Sequence, residues 1–257
     1  MADLLAEYDA RLRTEAEMHG AVEVRRAGPL WIARFDGDHL FVTYRELDDT
    51  SARVGEVSAI LAADTTVRTA EWKTRTHDRA PGLESALTAA AFEPDEPESV
   101  MLGEATTLVD MDPPAGVTVR RLTTPSEIRA ALDMQDAVFG EPFKAESMLA
   151  AILRQQTDGE SIEVWAAEAD GRIVSAGRID RIPGTAFAGI WGGATLPEYR
   201  GRGIYRALTA ARARSAVAQG VRWIHSDSTE GSRPILERAG LVKITETVPW
   251  VWQRNEI

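Results

Sequence analysis

The sequence predicts an α/β protein with a mixed sheet, built as two domains of similar plan. Apolar patterns of strand and helix period alternate along the 257 residues. A proline-rich seam interrupts them: Glu93–Pro94–Asp95–Glu96–Pro97–Glu98, then Asp110–Met111–Asp112–Pro113–Pro114–Ala115–Gly116. Consecutive prolines continue neither a helix nor a central strand, so the second stretch reads as a linker between domains at 1–112 and 117–257. The third observation is an internal echo. Trp72, Leu87, Ala91–Phe92 and Met101 return as Trp223, Leu236, Gly240–Leu241 and Trp250, in the same strand–helix–strand order, which suggests a duplicated unit.

The first half reads as a helix over Ala2–Met18 and strands near Val22–Arg25, Leu30–Phe35 and Leu40–Tyr44. A helix at Ala52–Ala62, strand Val67–Lys73, helix Gly82–Ala90 and strand Ser99–Leu102 follow. In the second half Val117–Leu122 is a strand. Thr124–Pro125–Ser126–Glu127 is a capping box with proline at the first helical position, opening a helix to about Phe139. Lys144–Gln156 is helical, and Ile162–Glu168 and Ile173–Ile179 form a hairpin through Asp170–Gly171. Phe187–Thr195 is a strand rich in small residues. An alanine-rich helix runs from Gly203 to Ala218 and is stopped by Gly220. Strand Val221–Asp227, helix Ser232–Ala239 capped by Gly240, and final strands over Leu241–Trp252 complete the chain.

Composition excludes several classes. Hydrophobic residues make up 44% and charged residues 27%, ordinary soluble usage. With no cysteine there is no thiol nucleophile and no disulfide framework, which fits a cytoplasmic protein. The first twenty residues carry acids throughout and do not read as a signal peptide, and no apolar run is long enough to span a bilayer. Acidic residues outnumber basic ones by 40 to 29, a net charge of -11, so nucleic acid and anionic membranes are disfavoured partners. His19, His39 and His77 have no metal-ligand spacing, so no metal is expected.

The sharpest motif is Leu196–Pro197–Glu198–Tyr199–Arg200–Gly201–Arg202–Gly203–Ile204–Tyr205–Arg206. Two glycines let the backbone turn tightly before a helix, aiming several N–H groups one way. The helix N-terminus adds partial positive charge, and Arg200, Arg202 and Arg206 add full charges in an otherwise acidic protein. A pyrophosphate is the natural guest. Here the sequence resembles the GNAT N-acetyltransferases, whose acyl-CoA signature is Arg/Gln-x-x-Gly-x-Gly/Ala. Arg200–Gly201–Arg202–Gly203–Ile204–Tyr205 matches it except at the last position. The resemblance spans Val117 to Trp252 and includes the Glu237–Arg238–Ala239–Gly240–Leu241 ending of the penultimate helix. It implies two GNAT-like domains, the second complete with an acyl-CoA-binding loop.

By that resemblance, acetyl-CoA is the cosubstrate. The backbone of Ala194, Thr195 and Leu196 would pair with the pantetheine arm, and the loop from Arg200 to Tyr205 would hold the pyrophosphate. Thr229 falls near a family asparagine that contacts CoA. The first half instead reads Tyr44–Arg45–Glu46–Leu47–Asp48–Asp49–Thr50–Ser51 at the equivalent junction, with no glycine and three acids that would repel a phosphate. It reads as a degenerate domain, structural or one wall of the substrate cleft.

The family often supplies a carboxylate on the strand before the phosphate loop and a tyrosine where this chain has Leu236. The strand Ala186–Thr195 carries no carboxylate. Candidates for the base are therefore Asp227, with His225 two residues earlier on the same strand face, and also Glu230 and Asp180. Asp227 has a plainer reading too, as a helix cap or a loop acid. Ser228, Thr229 and Ser232 are further hydroxyl candidates, and Trp191 either floors an acceptor pocket or packs in the core. The expected activity is acetyl transfer to an amine of a small molecule by a monomer or homodimer. Two alternatives stay open: a non-catalytic acyl-CoA sensor, or an enzyme using another acyl donor, for which the small residues Gly192, Gly193 and Ala194 leave room.

Overall fold

The computed structural model describes residues 2–35, 38–140, 144–157 and 162–254. In chain order the elements are α1 (Ala2–Arg11), β1 (Glu23–Ala27), β2 (Leu30–Phe35), β3 (His39–Thr43), α2 (Thr50–Ala63), β4 (Thr69–Arg75), α3 (Leu83–Ala89), β5 (Glu93–Pro94) and β6 (Glu98–Glu104). These are followed by β7 (Thr118–Leu122), α4 (Pro125–Phe139), α5 (Lys144–Thr157), β8 (Ile162–Ala169), β9 (Arg172–Arg181) and β10 (Phe187–Thr195). Last come α6 (Ile204–Ala218), β11 (Trp223–Ser228), α7 (Arg233–Ala239) and β12 (Val242–Gln253).

The chain forms two compact units, residues 1–100 with 244–257, and residues 101–243. The division therefore falls at residue 100 rather than at the proline seam near 112. Backbone pairing decides this. The end of β6 belongs to the second unit, where the Ala105 N–H donates to Arg222 O at 2.7 Å. The end of β12 belongs to the first, pairing with β4 from Thr247↔Arg75 to Gln253↔Thr69. The seam itself lies inside the second unit, where Arg214 Nη1 donates to Val109 O at 2.6 Å.

In the first unit the strands run β1-β2-β3-β4-β12. Trp72 is wholly buried on β4, with the rings of Tyr44 and Phe92 6.2 and 6.4 Å away. The helix expected over Ala2–Met18 is split. α1 ends at Arg11, and a separate 3-10 turn over Glu15–Met18 is capped by Thr14, whose hydroxyl accepts the Ala16 N–H at 3.2 Å. Between them Arg13 turns inward to grip Asp78 with two bonds of 2.6 and 2.8 Å. Parallel pairing of β3 with β4 stops at Val42↔Trp72, and charged side chains occupy what lies beyond. Arg75 donates to Thr43 Oγ1 at 3.1 Å and pairs with Glu17, while Arg13 donates to the Tyr44 carbonyl. A parallel pair that diverges would leave a gap; in this unit it is filled from within.

The echo read from sequence extends to backbone conformation. α3 closes with the Phe92 N–H on Leu87 O at 3.0 Å, with Ala91 in the left-handed region at φ 63°. α7 closes with the Leu241 N–H on Leu236 O at 3.0 Å, with Gly240 at φ 112°. The same hydrogen-bonded ending thus uses glycine once and alanine once. Since a left-handed alanine costs roughly 1–2 kcal/mol, Ala91→Gly is expected to stabilise the protein by about 1 kcal/mol. An unchanged or lowered midpoint in a urea melt would contradict this.

In the second unit the strands run β7-β8-β9-β10-β11-β6. Alternation along β8 sends Ile162, Val164 and Ala166 to a core formed with Ile128 and Leu132 of α4 and Ile152 of α5. The opposite face, with Trp165, Ile179 and Ile190, packs on Ala213 and Ala216 of α6. The predicted capping box forms: Thr124 Oγ1 accepts the Glu127 N–H, and the Glu127 carboxylate accepts the Thr124 N–H at 3.0 Å. These threonine bonds, with Arg120, draw the Glu127 carboxyl down to about 2. The hairpin turns through Asp170 and Gly171 at φ 52° and 73°, the pair of positive values that a two-residue turn requires.

Candidate functional site

Strand β10 builds one wall of the site. It pairs with β9 antiparallel but slips register between Trp191 and Ala194, a bulge made possible by Gly192 at φ 61°. The side-chain amide of Gln135 on α4 donates to the Gly192 carbonyl and braces the bulge. On its other edge β10 pairs with β11 in parallel only over Phe187↔Trp223 to Gly189↔His225. Beyond that the last part of β10 offers backbone groups to a cavity.

The loop after β10 forms the second wall. A 3-10 turn over Pro197–Tyr199 leads to Gly201 at φ 74° and Gly203 at φ 81°, the cap position of α6. No side chain caps this fifteen-residue helix, so its first N–H groups stay available to an anion. Arg200 Nε donates to Thr195 O at 3.0 Å, folding the loop back on the strand. Tyr199 anchors the outside, its hydroxyl on Asp170 at 2.8 Å and its ring between the guanidiniums of Arg172 and Arg202 at 5.2 and 5.0 Å.

Strand and loop enclose a cavity of about 560 Å³. Ala194, Thr195, Arg200, Gly201, Gly203, Ile204, Tyr205 and Thr229 all line it. Leu196 and Arg202 do not. The Leu196 N–H donates to Val174 O at 2.9 Å and its carbonyl accepts the Tyr199 N–H at 2.9 Å, so its backbone is engaged within the loop. Arg202 donates to Glu198 O at 2.8 Å and covers Tyr199 from outside. Positive charge at the cavity comes instead from Arg200, Arg206 and Arg238. Arg238 was missed as a site residue; its signal was the spacing of three from Ile235 on α7, which places both on one helix face. Val138 and Phe139, at the end of α4, were also missed, although Phe139 is 53% exposed.

The sequence departs from the loop signature at Tyr205, and the structure shows what accommodates it. A Cβ added to Gly193 would lie 2.5 Å from Tyr205 Cε2 and 2.8 Å from its hydroxyl oxygen. A large residue on α6 is thus matched by the absence of a side chain on β10. The other small residues are filled in the same way. The Trp191 indole folds over Gly189, 2.4 Å from where a Cβ would stand, and Arg178 and Gln135 lie 3.1 Å from the equivalent point on Gly192. The room expected along the strand is occupied by the protein itself.

His225 and Asp227 do not line this cavity. His225 lies across from Gly189 on the sheet face that carries Trp191, its ring edge-on to the indole at 5.2 Å. The half-buried Asp227 follows two residues later, and Thr229, two further on, reaches the cavity. Ser232, not Asp227, occupies the cap position of α7, so the capping reading of Asp227 is not realised. Asp180 lies opposite Gly189 with Arg178 3.8 Å away, and Glu230 pairs with Arg233 at 2.7 Å. Leu236, at the position of the family tyrosine, is core. His39 meets Thr69 and His77 meets Thr245, at 2.9 and 2.8 Å. Among the described residues no group of three or more His, Asp or Glu could hold a metal ion, and no helix is long and apolar enough to cross a membrane.

Comparison with known proteins agrees with this geometry. Residues 128–241 match the acetyltransferase (GNAT) family. No curated protein matches the sequence. Among solved structures, a GCN5-related N-acetyltransferase from Kribbella flavida is 16% identical, with a TM-score of 0.68 over 98% of this chain and 96% of its own. A tandem GNAT protein from the clavulanic acid biosynthesis pathway is 15% identical, with a TM-score of 0.62 over 100% and 96%. A functionally unknown conserved protein from Staphylococcus epidermidis is 13% identical, with a TM-score of 0.70 over 94% and 98%. Nearly the whole chain shares its fold with GNAT proteins, and residues 128–241, within the second unit, match the acetyltransferase (GNAT) family.

Proposed function

We propose that the second unit binds acetyl-CoA and transfers its acetyl group to an amine of a small molecule. The observation that carries this reading is the uncapped N-terminus of α6, facing the bulged end of β10, which is unpaired toward β11, across a cavity lined by three arginines. The residues fit a pyrophosphate: glycines in left-handed conformations present N–H groups, and Arg200, Arg206 and Arg238 add charge. The backbone near Ala194 and Thr195, which pairs with β9 but not with β11, would hold the pantetheine amides and orient the thioester. A short acyl group is favoured because Trp191, Tyr205, Arg178 and Gln135 occupy the space beside Gly189, Gly192 and Gly193. Asp227 is the group we assign to take the proton from the attacking amine, and His225 assists it. The acidic surface favours cationic acceptors, and a chain without cysteine suits the reducing cytoplasm.

A tandem arrangement with one working domain follows from the first unit. Arg13, Arg75, Glu17 and Asp78 fill the end of its β3–β4 pair, and Glu46, Asp48 and Asp49 precede α2. One acetyl-CoA is therefore expected per chain, with free thiol released when primary amines are supplied. Calorimetry and thiol detection over an amine panel test both. A stoichiometry of two would overturn the single-site reading. Binding without thiol release would favour the sensing module, for which the core position of Leu236 and the carboxylate-free β10 are the arguments.

A further inference from the structure

We propose that Tyr205 is the proton donor to the departing thiolate, an inference that rests on the acyl-transfer reading above. Tyr205 sits in the first turn of α6, directly after the glycine loop, and lines the cavity. Its phenol end reaches β10 at the bulge: the hydroxyl oxygen is 2.8 Å from the point where Gly193 would carry a Cβ. Only a glycine at 193 allows that approach. The hydroxyl is thus held at the strand segment whose backbone is unpaired toward β11, where a thioester entering between loop and strand would place its sulfur.

A second residue lies behind the phenol. Arg212, two turns further along α6, is 1% exposed, and its guanidinium carbon lies 6.0 Å from the Tyr205 ring centroid. It donates to Arg178 O at 3.1 Å and to Thr209 Oγ1 at 3.1 Å, with a longer approach to Leu208 O at 3.4 Å. No carboxylate among the described residues pairs with it. Gly177 makes room for it, since a Cβ there would stand 2.6 Å from Nη1. Burying a guanidinium without a counter-charge is costly, and burial weakens its hold on its own proton. The phenol is the acidic side chain set against Arg212, and it favours the charged guanidinium. A guanidinium has donors only. Toward Arg212 the phenol oxygen can therefore act only as acceptor, which leaves its own proton for the cavity. As that proton leaves, the negative charge forms beside a fixed, desolvated cation.

The step balances. The amine nitrogen lone pair attacks the thioester carbonyl carbon, the C–N bond forms and the C–S bond breaks. The sulfur takes the electron pair of that bond and the Tyr205 proton, leaving as the thiol. The excess proton of the amine goes to Asp227 or water. The phenolate, held beside Arg212, regains a proton from solvent at the cavity mouth. Acid and base thus come from different elements, α6 and β11, and neither is on the family's usual position.

Tyr205→Phe tests this, because the phenyl ring keeps the packing against Gly193 and removes only the hydroxyl. The probe reaction is acetyl-CoA with hydroxylamine, a small nucleophile that is neutral at pH 7, read as thiol release above the rate measured without protein. The variant is expected to stay folded, melting somewhat lower because Arg212 loses an acceptor, and to hold acetyl-CoA within about twofold by calorimetry, while kcat falls about a hundredfold or more. A kcat within threefold of the parent would overturn the proposal and leave the acyl-transfer reading standing. A parent protein that binds acetyl-CoA yet releases thiol with hydroxylamine or any amine no faster than the protein-free mixture would overturn both.

Discussion

Gly203→Val is expected to abolish acetyl-CoA binding without unfolding the protein. The residue caps α6 at φ 81°, a conformation that a β-branched side chain adopts only under strain of about 1–3 kcal/mol. A Cβ there would also stand 3.0 Å from Met111 Cε, the flexible end of a side chain that can move aside. The cost to folding is therefore modest, but the turn aiming the first N–H groups of α6 at the cavity is lost. Charge tells the same story with a sharper control. Arg206→Glu and Arg238→Glu each replace a cation lining the cavity with an anion, and each charged hydrogen bond lost is worth about 1.5–3 kcal/mol, roughly tenfold to a hundredfold in Kd. Arg202→Glu, on a residue stacked outside on Tyr199, is expected to change Kd less than about threefold. Calorimetry with acetyl-CoA measures all of these. Equal losses at Arg202 and Arg206, or unchanged affinity in Gly203→Val, would remove the loop as the phosphate site.

Asp227→Asn is expected to lower turnover about a hundredfold or more while leaving the acetyl-CoA affinity and melting temperature in place. An alkylammonium is almost wholly protonated at neutral pH, since a typical amine pKa is about 10, so a group near the attacking nitrogen must take a proton. β10 has no carboxylate, and Leu236 is core. Asp227 stands at the end of β11, two residues before Thr229 brings the chain to the cavity. Because Ser232 holds the cap of α7, the amide loses no helix cap, and a fall in turnover would not be a stability effect. Turnover equal to the parent would mean that the proton leaves through water.

The loop was legible because its signal is local. Glycines at 201 and 203 announce a backbone that only they adopt readily, and both stand in left-handed conformations. The capping box at Thr124–Glu127 and the hairpin turn at Asp170–Gly171 were legible for the same reason, since each partner lies within three residues. Even the echo at Ala91–Phe92 and Gly240–Leu241 survives as one helix ending built twice. What failed to read through was orientation. Arg200, Arg202 and Arg206 are alike in sequence, yet Arg202 faces Tyr199 and the other two face the cavity.

By itself, then, the sequence determined the alternation of strands and helices, the glycine–arginine loop before α6 and the half of the chain that carries it. These depend on backbone preferences and periodicity within a few residues. Tertiary structure alone decided where β6 and β12 find their partners, because a strand edge offers the same N–H and C=O groups to any neighbour. It alone decided that Gly193 receives Tyr205, that Arg212 is buried behind it, and that ion pairs occupy the end of β3–β4. Tyr205 and Gly193 stand on different elements and the ion pairs join residues up to 65 apart, and packing, which no local spacing records, chooses among such contacts.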